Sequence, residues 1–142
     1  MSAKKRFVIA AVAALTLNVI WEFSHRFLYI DLSGIPENTH LIIASLADML
    51  IISAIFGIVS LVNQGLDWIK NPGKFEYWTV VFLGLVVAVL IEVVNLNLGR
   101  WEYTPAMPTF FGVGASPLVQ LALTGAISLF LARQLKEPGE KR

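Results

Sequence analysis

Thr39-His-Leu-Ile-Ile-Ala-Ser-Leu-Ala-Asp48-Met-Leu-Ile-Ile-Ser-Ala-Ile-Phe-Gly-Ile-Val-Ser-Leu-Val-Asn63 decides the fold. One acidic residue, Asp48, interrupts an apolar run with no glycine or proline until Gly57. At 1.5 Å per residue, a helix over 39–63 covers the ~30 Å hydrocarbon core of a bilayer. Three further runs read the same way, at 7–29, 76–98 and 116–134. The sequence therefore predicts an all-α, four-helix transmembrane bundle forming one domain over residues 1–142.

Composition agrees. Of the 142 residues, 56% are hydrophobic and 15% charged, and the mean hydropathy is +0.70. A soluble domain carries about 25% charged residues. The net charge of +1 offers no basic surface for nucleic acid, so no nucleic-acid partner is expected. The chain has no cysteine, which excludes disulfides, thiolate metal sites and cysteine nucleophiles. Lys4-Lys5-Arg6 ahead of an apolar run resembles a signal peptide, but the run continues to Tyr29, so it is read as a retained first helix.

The connections carry turn signals: Gly34 and Pro36 in the first, Asn71-Pro72-Gly73 in the second. Asn38 or Thr39 is the expected cap of the second helix. Ser116-Pro117 opens the fourth, with proline in the tolerated first turn. The third connection, 99–115, holds Trp101, Tyr103, Phe110 and Phe111 and is expected to be an ordered, aromatic-rich extracytoplasmic cap. Lys4, Lys5, Arg6, Lys70, Lys74, Arg133, Lys136, Lys141 and Arg142 fall on one side; Arg26 and Arg100 fall near the other. That imbalance places both termini in the cytoplasm.

Three of the four runs carry an internal carboxylate: Glu22, Asp48 and Glu92. A carboxylate at bilayer depth costs roughly 2.5–3.5 kcal/mol on insertion scales, and such groups mark sites, relays or ion paths. Counted from the outer helix ends, Glu22 lies ~10 Å deep, Asp48 ~13 Å, Glu92 ~9 Å and Gln120 ~6 Å. All four therefore fall in one layer of the outer leaflet, while the cytoplasmic halves are nearly all apolar. Asn18, Glu22 and His25 share one helical stripe. Glu92 and Asn95 share another, with Arg100 placed to reach back to an acid. The pairs Ser53/Gly57, Gly84/Ala88 and Ala122/Ala126 have the spacing of close helix packing in membranes. Asn18-Val-Ile-Trp21-Glu22-Phe23 is echoed weakly from Asn97 through Trp101-Glu102-Tyr103, which raises the idea of two related hairpins.

The expected site thus consists of Glu22, Asp48, Glu92, His25 and Arg100 as chemical groups, with Asn18, Trp21, Asn95, Trp101, Tyr103 and Gln120 binding substrate. Asp48, as the deepest acid, is a candidate proton donor. Glu22-x-x-His25 matches half of a carboxylate-bridged di-iron pattern, but no second copy occurs. No cofactor is expected; a mononuclear metal held by Glu22, His25, His40 and Asp48 is the alternative. No phosphate-loop, dinucleotide or hydrolase-elbow motif occurs, and Ser24 and Ser116 show no evident nucleophilic triad.

Gly99-Arg-Trp-Glu-Tyr-Thr-Pro-Ala-Met-Pro-Thr-Phe-Phe-Gly-Val-Gly-Ala-Ser-Pro-Leu118 resembles a segment of the carotenoid hydratases and the heterodimer-type lycopene cyclases. Gly99, Trp101, Tyr103, Gly112, Val113 and Pro117 carry the likeness, and Glu92 stands where those proteins place a preceding acid. The cyclases carry acids just after that proline, where this chain has Leu118-Val119-Gln120. The Trp-Glu and Trp-Glu-Tyr-Thr-Pro-Ala-Met-Pro segments are also similar to those of a family of small bacterial four-helix membrane proteins. The resemblance implies a bacterial cytoplasmic-membrane protein whose partner is an isoprenoid-like membrane lipid. On this reading the acids protonate or bind that lipid. A homo-oligomeric proton or cation carrier, and a structural membrane subunit, are the competing readings.

Overall fold

In the computed structural model, which describes residues 1–135, the run that opened the sequence reading is one helix, α2, Glu37–Val62. Its N-cap is Pro36, so Asn38 and Thr39 fall inside its first turn instead of capping it. α3 is Lys74–Asn97 and α4 is Ala115–Gln134. α1 is Ala3–His25, shorter at its C-terminal end than the apolar run suggests. Residues Arg26–Leu28 tighten into a 3₁₀ turn, and Tyr29–Asp31 leaves the helix as strand β1. The reason is a competing partner. β1 pairs antiparallel with β2, Trp101–Tyr103, in the register Tyr29↔Tyr103 and Asp31↔Trp101. A second hairpin joins β3, Thr109–Phe110, to β4, Val113–Gly114.

Among the described residues, these four helices are long and apolar enough to cross a membrane. Much of their outer surface is bare hydrocarbon: Val8, Leu50, Leu61, Trp78, Phe82 and Leu90 are exposed. An apolar belt of that extent suits lipid and not water. Both termini of the bundle lie at one end, because Arg6 Nη1 donates to the Ala132 and Arg133 carbonyls at 3.0 and 2.9 Å. This places a cation on the negative end of the α4 dipole. Lys136, Lys141 and Arg142, used in the orientation argument, lie outside the described residues.

The helices pack in the spatial order α2–α1–α4–α3, and α2 and α3 touch only sparsely. The α3–α4 seam is the tightest. A Cβ on Gly84 would stand 2.7 Å from the Ala122 backbone nitrogen, so only glycine permits this approach. Gly57, by contrast, has nothing within 4 Å of where its Cβ would be, so the Ser53/Gly57 pair makes no such seam. The termini-bearing half is solid: Ile52, Phe56, Val59, Ile69 and Leu129 are fully buried. A 3₁₀ turn, Asp67–Lys70, tucks Ile69 beneath α1 and α4. Trp68 lies edge-on to Phe56 and donates to Ser60 Oγ at 2.8 Å.

The helix–strand–helix order α1–β1–α2 recurs as α3–β2–α4, although β3 and β4 intervene before α4. The sequence echo does not map onto this repeat, because Trp21-Glu22 is helical while Trp101-Glu102 lies in a strand. At the tip of the β3–β4 hairpin, Phe111 takes a positive φ of 50° beside Gly112 at 82°. Both Phe110 and Phe111 point outward and are exposed, so half of the aromatic character of 99–115 faces away from the bundle.

Candidate functional site

Each acid stands on its own helix, and the wide α2–α3 separation leaves a cavity of about 670 Å³ between them. Glu22 and His25 of α1, Asp48 of α2, Glu92 of α3 and Gln120 of α4 line it. Apolar walls come from Ala44, Ala47 and Ile51 of α2 and from Ala88 and Ile91 of α3. The volume falls within the ~300–1,000 Å³ of small-molecule pockets. Ile43 and Ala47 line the cavity and are also exposed on the outside of α2, so the cleft is open sideways.

Gln120 ties three helices. Its Nε2 donates toward Glu22 Oε1 at 2.7 Å, Asp48 Oδ2 at 2.7 Å and Asn18 Oδ1 at 3.0 Å. An amide nitrogen carries two hydrogens, so three oxygens share them. Asn18 is fully buried and is further held by Thr124 and the Ala14 carbonyl. The expected Asn18–Glu22–His25 stripe is present, with His25 Nε2 at 3.3 Å from Glu22 Oε2.

Glu92, 4% exposed, faces a different set of donors. Tyr103 donates its hydroxyl hydrogen to Oε2 at 2.6 Å, Trp101 Nε1 reaches the same oxygen at 3.3 Å, and Tyr29 approaches Oε1 at 3.5 Å. Tyr103 in turn accepts from the Gly114 amide at 2.9 Å. Burial first, and then the bond to Glu92, push the Tyr103 phenol above its ordinary range, so it remains a donor. Among the described residues, Arg100 forms no ion pair with Glu22, Asp48 or Glu92. It lines the cavity at its exposed rim and donates to Asn95 Oδ1 at 3.1 Å, just past Gly99 at φ 65°. Trp21 stands on the far side of α1 from the cavity and donates to Ser116 Oγ at 3.2 Å.

At the cavity mouth, His40 Nδ1 lies 2.6 Å from Asp31 Oδ2. The slight burial of Asp31 acts to raise its pKa, but the bonds from Ser33 and His40 outweigh it and hold the carboxyl below 3.8. His40 is thus committed to Asp31 and stands apart from Glu22 and Asp48 in this network. Among the described residues, no group of three or more His, Asp or Glu side chains is disposed to hold a metal ion.

Sequence reasoning passed over Tyr29 and Thr124, and it found no triad for Ser116. Tyr29 was hidden by its place at the end of an apolar run. Ser116 was hidden because its partner His25 is 91 residues away. No protein-family model, no curated protein and no solved structure matches this chain.

Proposed function

We propose that this is a small integral membrane protein that binds an apolar, isoprenoid-like lipid in the α2–α3 cleft and acts on it by acid chemistry. The observation that supports this reading is the convergence of Glu22, Asp48 and Glu92 on one apolar-walled cavity that opens sideways. Both termini face the cytoplasm on this reading, which puts the cavity in the outer leaflet. Lipid then enters between the helices without crossing water. Asp48 or Glu92 delivers a proton to a carbon–carbon double bond, and the resulting cation returns a proton to a carboxylate or captures water. Trp101 and Tyr103, held against Glu92, stabilise positive charge at that point. The likeness of residues 92–118 to carotenoid-modifying membrane proteins supports the same substrate class.

The test is to purify the protein in a neutral detergent and identify co-purifying lipids by mass spectrometry. An isoprenoid lipid near one per chain, lost on Asp48→Asn and Glu92→Gln, is expected. No stoichiometric lipid, or the same lipid retained in the doubly substituted protein, refutes the reading. The competing carrier reading needs a continuous path, and the packed half around Phe56 and Ile69 offers none in a single chain. Proton or cation flux in proteoliposomes that depends on Asp48 or Glu92 would put the carrier in its place.

A further inference from the structure

His25 stands between two recesses. On one side is the acidic cavity. On the other is a groove of about 420 Å³ between α1 and α4, walled by Leu17, Ile20, Phe27 and Ile127 and containing Ser116. The Ser116 hydroxyl lies 2.7 Å from His25 Nδ1. The opposite ring nitrogen, Nε2, lies 3.3 Å from Glu22 Oε2. The carboxylate fixes the tautomer: a hydrogen on Nε2 satisfies Glu22, whereas a bare Nε2 would face an acceptor. Nδ1 is then the acceptor for the Ser116 hydroxyl hydrogen. A hydroxyl on a base, and a base oriented by an acid, is the arrangement of an activated nucleophile.

The fold supplies what such a nucleophile needs. Ser116 is the second residue of α4, so its own amide hydrogen has no partner one turn back in the helix. The indole N–H of Trp21 donates to Ser116 Oγ at 3.2 Å, which orients the hydroxyl so that its own hydrogen points to His25 Nδ1. His25 is buried, with the Tyr29 ring edge-on at 5.2 Å and the Trp21 ring at 6.4 Å, so the imidazole is held in place. The groove walls are almost wholly apolar, which suits an acyl or alkyl chain.

We propose that Ser116, His25 and Glu22 form a nucleophilic serine centre that cleaves esters of long-chain, apolar carboxylic acids. Ser116 Oγ attacks the ester carbonyl while its proton passes to His25 Nδ1. The oxyanion forms against the Ser116 amide. His25 returns that proton to the departing alkoxide, leaving an acyl-Ser116 ester and a free alcohol. Water then attacks the acyl group with His25 again taking the proton, and the acid is released as Ser116 is restored. Glu22 is a positioning residue, since it acts through the imidazole. This centre does not rest on the acid chemistry assigned to Asp48 and Glu92.

A long-chain alkyl fluorophosphonate tests it, with intact mass and peptide mapping as the readout. Expected is a single adduct on Ser116, formed with loss of fluoride, and hydrolysis of 4-nitrophenyl laurate by the same protein. His25→Gln should slow labelling by about a hundredfold or more, the usual contribution of a general base. Co-purifying lipid and Ser116 labelling are read on the same wild-type preparation, so a labelled protein without lipid, or a lipid-loaded protein without label, shows which of the two readings has failed. Ser116→Cys provides a second measurement, because the chain has no other thiol. Its alkylation by iodoacetamide should be fast at neutral pH and slow when His25→Gln is added. An unlabelled wild type, an adduct elsewhere, or equal rates with and without His25 overturns the proposal.

Discussion

Gln120→Leu removes the one side chain that bridges Glu22, Asp48 and Asn18 while nearly preserving volume, so the loss is polar and not a cavity. In water-soluble proteins each hydrogen bond to a charged group contributes ~1.5–3 kcal/mol, which for the two 2.7 Å contacts gives roughly 3–6 kcal/mol. Membrane proteins behave differently. Interhelical polar contacts measured there average ~0.6 and reach ~1.7 kcal/mol, because separated helices in lipid find other partners. Three contacts at that scale give roughly 2 kcal/mol, with ~5 kcal/mol as a ceiling. On the proposed membrane reading the second figure governs, since the helices then stay inserted when the bundle comes apart. The expected loss is therefore about 2 kcal/mol, read as a shifted midpoint in reversible SDS titration of mixed micelles followed by tryptophan fluorescence. Gln120→Glu should lose more than Gln120→Leu, because it turns a donor into an acceptor facing acceptors. A double-mutant cycle with Asp48→Asn should show coupling of about 0.5–1.5 kcal/mol, as for residues in contact. If Gln120→Leu stays within ~0.5 kcal/mol of wild type and the cycle shows no coupling, the three helices do not lean on this amide and the site geometry is wrong.

Three further outcomes follow from local geometry. Gly84→Val should disrupt the α3–α4 seam by ~1–3 kcal/mol or more, since its Cβ meets backbone at 2.7 Å, whereas Gly57→Ala should stabilise α2 by up to about 1 kcal/mol, both read in the same titration. Asp31 has a folded pKa below its ordinary 3.8, so its contribution is fully present above that value and is lost as pH falls through the lower, folded one. The stability difference between wild type and Asp31→Asn should therefore be fully present near pH 5 and vanish in strong acid, and a gap that widens as pH falls below about 5 would contradict the Asp31–His40 contact.

The sequence by itself determined the class, the helix count and the layer at which polar groups sit. Hydrocarbon length and the scarcity of charge leave little choice: an apolar run that long must satisfy its own backbone, and only a helix does so locally. The same reasoning located Glu22, Asp48, Glu92 and Gln120 at similar depth, because depth along a helix is a matter of counting. Rotation about the helix axis and the identity of neighbours are not local quantities, and these the tertiary structure decided. Arg100 is a reachable cation in sequence yet bonds Asn95 at the cavity rim, and Tyr29 leaves an apolar helix because β2 offers its backbone a partner. Ser116 and His25 meet only because α4 packs on α1, a contact that no spacing along the chain encodes. Whether three acids make one cavity or three isolated clamps rested on how far α2 stands from α3 while α3 packs closely on α4 at Gly84.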